Sequence, residues 1–495
     1  MHLRNLPWLK QAKLIFIRRL IYMAVMSNPR DSEYELLHDA YYGTGMFANG
    51  GALPKYSRES SQNYKYRQKL SYYLNHTGPI LNASVDPIFK DEISRDYNKS
   101  ELFALFLENV DRLGTSLQEF MRFNATQAKL YGVMYIIVDN VTEFGETMAD
   151  VISKRQFPYL YAVEPKCVYN WRISDAGELE LFAYTSQVFD EEGNAKTQFH
   201  EWTKTSWVTK DENGKVIAQG EHNIGRIPVV QWFGRSSKKT DILPPPEFLS
   251  IARTNHQIYH QCSLLSQILS MQTFSILTLP DNGQNIGDIT LGTNNVLMYP
   301  AESGHAPAFI APDIGPAQIL IQTIKTLTDD MYRLSGINSV IGVQESKSGV
   351  AKQWDFERTN QRLADFSVQC ENAEYDIIDL YELWTGENIG YKCDYPRNFK
   401  INDVADVIAQ SQSVLDLDLG SNTLKVETGK KVLDSYVPNL EPKEYDKIID
   451  EIEEAVQRQE QDLAYHDDEG NEVDEDAEGD RQGDNQLRGR DKETP

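Results

Sequence analysis

The chain has few cysteines. Cys167, Cys262, Cys370 and Cys393 are the only four in 495 residues, and no two stand in a C-x-x-C pair. Such isolated residues fit free thiols in a reducing compartment better than a disulfide framework. Long apolar runs are missing too: nothing approaches the roughly 18 uninterrupted residues that a membrane span needs. Basic charge is in deficit, with 49 Lys and Arg against 74 Asp and Glu, a net −25. A protein that wraps nucleic acid needs clustered cations, so this balance argues against one. Nucleotide and hydrolase signatures are absent as well. There is no G-x-x-x-x-G-K-[ST], no G-x-G-x-x-G after a strand and no G-x-S-x-G.

The remaining candidates for chemistry each have an ordinary reading. Gly429-Lys430 lacks the upstream glycine of a phosphate loop. His256 and His260 have the i,i+4 spacing of metal ligands, but Gln257 stands where a zinc-protease helix carries Glu. Cys262 points about 200° from His260 on the same helix, which excludes a three-ligand cluster within one chain. Asp329-Asp330 and Glu453-Glu454 are adjacent and fit exposed helix charge. Asp139 ends an apolar run, where a turn-forming aspartate is the commoner reading. The chain therefore reads as non-enzymatic, with no catalytic residue, metal or cofactor assigned.

With 40% hydrophobic residues, a sizeable core is available. Residues 1–26 are basic and amphipathic, with Arg18 and Arg19 interrupting the apolar stretch, so they fail as a signal peptide. They read either as a membrane-surface helix or as an extension upstream of a start at Met26. Residues 31–127 look mostly helical, with loops at 43–54 and 76–79. Tyr41, Tyr42, Tyr64, Tyr66, Tyr72 and Tyr73 suit half-buried helices, and Lys65, Arg67 and Lys69 a solvated face. Residues 131–233 carry strand signals and predict a small antiparallel sheet, with Asn213-Gly214 as a two-residue hairpin turn. The run TDILPPP (240–246) is a stiff break before a helical region. After an irregular stretch at 385–402, shorter helices are expected at 404–414, 428–436 and 443–461. From Asp467 the composition is acidic and poor in apolar residues, as in disordered tails.

The region 244–384 has the most definite pattern. Apolar residues recur at helical spacing in 246–272 (Phe248, Ile251, Ile258, Cys262, Leu265, Leu269), broken once by Asn255. They recur in 316–335 (Ala317, Ile321, Ile324, Leu327, Met331, Leu334). They do so again in 350–384 (Phe356, Thr359, Leu363, Phe366, Cys370, Ala373, Ile377, Leu380, Trp384). Pro246 and Pro316 suit first-turn positions. A short β-rich insert separates the first two helices. Gly336, Gly342 and Gly349 punctuate the loop before the third, which Ser348 can cap.

This order of helix, β insert, helix, loop and long helix resembles the portal proteins of tailed double-stranded-DNA bacteriophages. The resemblance extends to the helix-to-strand run MRFNATQAKLYGVMYIIVDN and to the helical run TLKVETGKKVLDSYVPNLEPKEYDKIIDEIEEAV. It rests on order and spacing, not on a fingerprint. It implies an α+β, predominantly helical fold: wing at 27–243, stem helices at 244–272 and 314–335, and clip at 273–313. A tunnel loop would follow at 336–349, a long wing helix at 350–387, a helical crown at 388–465 and an acidic tail at 466–495. The family's function would make the chain one subunit of a ring, of about twelve copies, at a single capsid vertex of the virion. Such a ring assembles in the host cytoplasm and is the channel for genome packaging and ejection. Its implied partners are double-stranded DNA, terminase, head-completion or tail adaptor proteins, and the major capsid and scaffolding proteins, with no stable membrane partner. Net acidity suits a conduit along which DNA slides without sticking. The DNA-facing loop would comprise Ser339, Val340, Ile341, Gly342, Val343, Gln344, Glu345, Ser346, Lys347 and Ser348. Lys347 would touch phosphate weakly, partly offset by Glu345, and its ordinary reading is an exposed loop lysine. The alternative function is a non-enzymatic α+β scaffold or adaptor, membrane-peripheral through 1–26 and dimerising through the long helix.

Overall fold

A computed structural model describes residues 28–141, 148–273, 276–281, 296–300, 308–310, 313–336, 349–399, 404–417, 421–437 and 442–468. The chain is mixed α and β, about half helical with several sheets. It divides into a unit ending at Phe399 and a second beginning at Lys400.

The first unit opens with helices α1 (Asp31–Tyr42), α2 (Ser61–Leu70) and α3 (Thr77–Asn82), then strand β1 (Ser94–Asp96). Helices α4 (Glu101–Glu108) and α5 (Leu117–Tyr131) follow. Ser116 and Glu119 form a capping box at the start of α5, and Gly132 ends it at φ +85°. The expected loop at 76–79 is instead the first turn of α3. Pro79 is tolerated there because a first-turn N–H has no intrahelical partner.

Strand β2 (Val133–Asp139) comes next, then helix α6 (Met148–Ser153), then β3 (Tyr159–Val163), β4 (Val168–Ile173) and β5 (Leu179–Phe189). Strands β6 (Ala195–Thr203), β7 (Ser206–Lys210), β8 (Val216–Glu221) and β9 (Val229–Phe233) complete the region. There are two antiparallel sheets, not the one expected: β3-β2-β9, and β4-β5-β6-β7-β8. β2 lies between two cores. Met134, Ile136 and Val138 join the helical core, while Val133, Tyr135 and Ile137 face the five-stranded sheet. Burial on both faces explains why VMYIIV is apolar throughout instead of alternating. The Asn213-Gly214 turn is wider than two residues: Asp211 N donates to Lys215 O at 2.9 Å, and a register shift follows Thr209. Asp211 Oδ1 accepts from Asn213 N and Lys215 N, which favours the longer loop.

Helix α7 (Leu249–Thr273) starts after the proline run, so Pro246 precedes its first turn instead of occupying it. Three consecutive prolines hold 244–246 extended, and Gly132 packs against Pro246 Cα. Strands β10 (Ile276–Asp281), β11 (Val296–Pro300) and β12 (Ala308–Ile310) form a sheet in the order β11-β10-β12, its first pair parallel. Helix α8 (Gly315–Ser335), with Pro316 in its first turn, packs against α7. Helix α9 (Gly349–Thr385) is 37 residues long, about 55 Å at 1.5 Å per residue. Strand β13 (Lys392–Asp394) pairs with β1, within a stretch expected to be irregular.

On α9 the apolar stripe from Leu363 to Leu380 is buried in the chain's own core. It is therefore not available for the coiled-coil dimer of the adaptor reading. On α7, burial fades from Ile258 and Cys262 to the exposed Leu269. On α8, Ala317 and Met331 are buried, but Ile321 and Leu334 stay more than half exposed.

In the second unit, α10 (Val404–Asp416), α11 (Asn422–Tyr436) and α12 (Pro442–Asp468) pack in sequence order, each longer than its periodicity suggested. Ser421 caps α11 through Leu424 N. α12 runs to Asp468, just past the expected start of the acidic tail.

Candidate functional site at the root of the loop

All ten of the loop residues singled out from the sequence, Ser339 to Ser348, lie outside the described residues, as do residues 1–27 and the tail from 469. The two roots of that loop are described. Ser335 and Gly336 end α8, with Gly336 at φ +69°. Arg362 on α9 donates through Nη1 to Ser335 O, and Thr359 Oγ1 donates to Gly336 O at 2.8 Å. Glycine suits this position for its backbone angle, and a Cβ at Gly336 would push aside the flexible end of Arg362 that bonds Ser335 O. Thr359 is the polar member of the apolar α9 stripe. Its hydroxyl holds the loop root while its methyl joins the stripe.

Behind the root, a cavity of about 50 Å³ is lined by Lys129, Glu247, Phe248, Leu334, Thr359 and Arg362 among others. Lys129 Nζ, on α5, donates to Glu247 Oε2 at 2.9 Å and to Gly234 O at 3.0 Å, and sits 4.8 Å from the centre of the Phe366 ring. Burial alone would raise the pKa of Glu247. The attraction and hydrogen bond of Lys129, with Arg362 and Arg235 beyond, hold it below the ordinary value. The site is thus a charge-balanced clamp that fixes where the chain leaves α8. Its contacts hold backbone carbonyls, at Ser335, Gly336 and Gly234.

The other sequence candidates fall elsewhere. His256 and His260 are brought together, their ring centres 4.3 Å apart. Both direct Nε2 at Ala52 O, at 3.2 and 3.0 Å, so they fasten the 45–53 segment to α7. Burial lowers the pKa of His260. Among the described residues no group of three or more His, Cys, Asp or Glu is placed to hold a metal ion. All four cysteines are free. Gly429-Lys430 lies inside α11, where no phosphate loop can form. Asp330 pairs with Arg333 and Glu454 with Arg458 on exposed faces. Asp139 is a paired strand residue, not a turn: Tyr159, its register partner, donates to it at 2.8 Å.

Sequence reasoning missed two buried polar centres. Arg67, expected on a solvated face, is wholly buried. Its Nε and Nη2 each meet a Glu59 oxygen at 2.9 Å, and Nη1 donates to Ser263 Oγ at 3.1 Å. Glu374 on α9 is equally buried. It accepts from Arg95 at 2.8 and 3.0 Å, from Tyr395 at 2.6 Å and from Tyr391. No local signal marks either, because their partners are remote in sequence or of ordinary type. Asn255 was the exception, visible as the one break in an apolar stripe.

Among the described residues no helix is long and apolar enough to cross a membrane. No known protein-family pattern matches the chain, and no curated protein matches it in sequence. A solved structure described as "Neck of empty GTA particle computed with C6 symmetry" is similar at a TM-score of 0.38 and 12% identity, over 70% of this chain and 90% of that one. So low a score carries no argument about function.

Proposed function

We propose that the chain is a portal-type ring subunit, assembled head to tail around a channel for double-stranded DNA at a capsid vertex. The observation that carries this reading is the pair of apolar flanks left open on α8. At 100° per residue, Ile321, with Ile314 just before the helix, lies on one side of its buried face, Leu334 lies on the other, and Ile319 lies further round on that second side; all four are at least half exposed. A two-fold dimer uses one self-complementary patch, whereas a closed ring needs two different faces on each subunit. Two flanks on a helix that emerges from the core supply them, and element order agrees with the portal resemblance.

On this reading the loop between α8 and α9, with Lys347, meets DNA, and the insert carrying β10, β11 and β12 is the docking face for terminase and later for head-completion or tail proteins. The capsid and scaffolding proteins surround the ring. The chain itself does no chemistry, and any nucleotide hydrolysis belongs to the packaging motor. Mass measurement of the purified chain tests this. Rings of about twelve times 56.6 kDa are expected. A stable monomer at micromolar concentration would overturn the reading. In assembled procapsids, Lys347→Glu should lower DNase-protected DNA without lowering ring yield.

A further inference from the structure

The two antiparallel sheets share a core at one end. There Tyr135 and Phe182 meet with ring centres 4.7 Å apart. On the five-stranded sheet the same-face rows run Phe182–Trp202–Trp207 and Tyr184–His200–Thr209, fixed by the strand register. Across from them, Tyr159 and Tyr161 lie on one face of β3, two residues apart. Between the walls is a cleft of about 650 Å³, within the size range of small-ligand sites.

Its polar groups are largely engaged with one another. His200 is stacked on Tyr184 at 4.8 Å, with Nε2 2.8 Å from Ser186 Oγ and Nδ1 3.1 Å from Thr209 Oγ1. Tyr161 and Tyr184 share a hydroxyl hydrogen bond of 2.9 Å, and Tyr159 donates to Asp139. Glu164 pairs with Lys166 at 2.7 Å, and Asp111 is taken up by Thr115 and Leu113 N. One charge at the mouth is different. Arg112 lies with its guanidinium 4.0 Å from the centre of the Tyr159 ring; it has no ion pair or hydrogen bond among the described residues, and its charge reaches Asp139 only at longer range, opposing the rise that burial causes in that carboxyl's pKa. It is held at φ +67°, which few non-glycine residues adopt, so this placement is maintained against a backbone cost.

We propose that this cleft binds a small ligand consisting of a flat aromatic ring that carries an anionic group. The ring would slide between the Tyr159–Tyr161 wall and the Trp207 wall, and the anion would meet Arg112. Flat walls on both sides favour a planar ligand. A cation would lack a free carboxylate, because Asp111, Asp139 and Glu164 are already bonded. The inference is independent of how the chain assembles.

Fluorescence titration of the full chain with 8-anilinonaphthalene-1-sulfonate tests it, with N-phenyl-1-naphthylamine as the analogue lacking the sulfonate. The expected result is one saturable site per chain. Arg112→Asn, which tolerates positive φ on an exposed position, should weaken the sulfonate about tenfold and leave the neutral analogue unchanged. Trp207→Ala should weaken both. Absence of saturable binding would overturn the proposal. So would sulfonate binding unchanged by Arg112→Asn, or loss of both probes together in that variant. The Arg112 comparison stands even if Trp207→Ala fails to fold.

Discussion

Replacing Asn255 with Leu should restore an unbroken apolar stripe to α7 and yet destabilise the protein. Asn255 Oδ1 accepts from His76 N, Thr77 N and Thr77 Oγ1, each at 3.0 Å, while Nδ2 donates to Leu74 O at 2.8 Å. The side chain thus caps α3 from another helix, a role normally filled by the residue just before a helix. Tyr73 OH, also 3.0 Å away, keeps Ala40 O as an acceptor, so it is not orphaned. Leucine would orphan the buried Thr77 N–H and remove the hydrogen bonds to Thr77 Oγ1, Tyr73 OH, His76 N and Leu74 O, although His76 N and Leu74 O keep their mutual bond at 3.1 Å. At about 1–3 kcal/mol for the one orphan and about 1 kcal/mol for each further hydrogen bond lost, the loss is several kcal/mol, and the apolar side chain returns only part of it. A net of about 3 kcal/mol is expected. Unfolding entropy of about 2.1 cal/mol/K per residue, over roughly 370 residues, converts this to a fall in Tm of about 4 °C. If the opening is local, the amides of 76–82 should exchange about a hundredfold faster while the β2 amides do not change. Scanning fluorimetry and hydrogen exchange measure both. A Tm within 1 °C of wild type together with unchanged exchange at 76–82 would refute the capping argument.

Glu374→Gln should cost about 3–5 kcal/mol by leaving Arg95 charged and buried without its counter-ion, read as a lower urea midpoint; an unchanged midpoint would count against the hub. Burial pushes His200 down to about 4, so the unfolded chain binds the extra proton between about 6.5 and 4. His200's contribution to stability is therefore present above that window and lost as pH falls through it. His200→Gln should reduce the drop in Tm between pH 7 and pH 5. Ile319→Asp and Ile321→Asp, one on each flank of α8, should each abolish ring formation while leaving Tm within about 1 °C, because both positions are solvated in the single chain. Intact rings in both variants would remove the flanks from the assembly argument. Gly336→Ala should disturb the loop root through both positive φ and contact with Arg362, lowering Tm, and a co-introduced Arg362→Ala should recover part of the loss.

The long helices were legible because an amphipathic period survives in the sequence whatever it packs against. The α9 stripe reads almost residue for residue as the buried face. β2 was legible as a strand, but its burial on both sides was not, since an apolar run does not say how many layers cover it. Within 131–233, β6 carries the weakest signal of its own, because KTQFHEWT has large apolar residues only at Phe199 and Trp202. Its place in the sheet is set by β5 and β7 on either side. Asn255 was visible as an anomaly, but its partners lie 178 and more residues away. Arg67 and Glu374 were invisible for the converse reason: charged residues are expected outside, and only remote partners reverse that expectation. At the loop, glycine punctuation pointed to Gly336, whereas its anchors Thr359 and Arg362 read as ordinary members of the following helix.

The pairing of Arg95 with Glu374 spans 279 positions of sequence, and that distance is also a delay. A ribosome moving at about 5–20 residues per second makes the arginine roughly 14–56 s before the glutamate. Throughout that interval the nascent chain holds an uncompensated cation in what will become its interior, within β1, which still lacks β13. Fragments that stop short of about residue 395 should therefore be preferred prey for proteases and for holdase chaperones. A translational pause between residues 95 and 374 would lengthen that exposure, while one after residue 395 would come when the lock is already available to close.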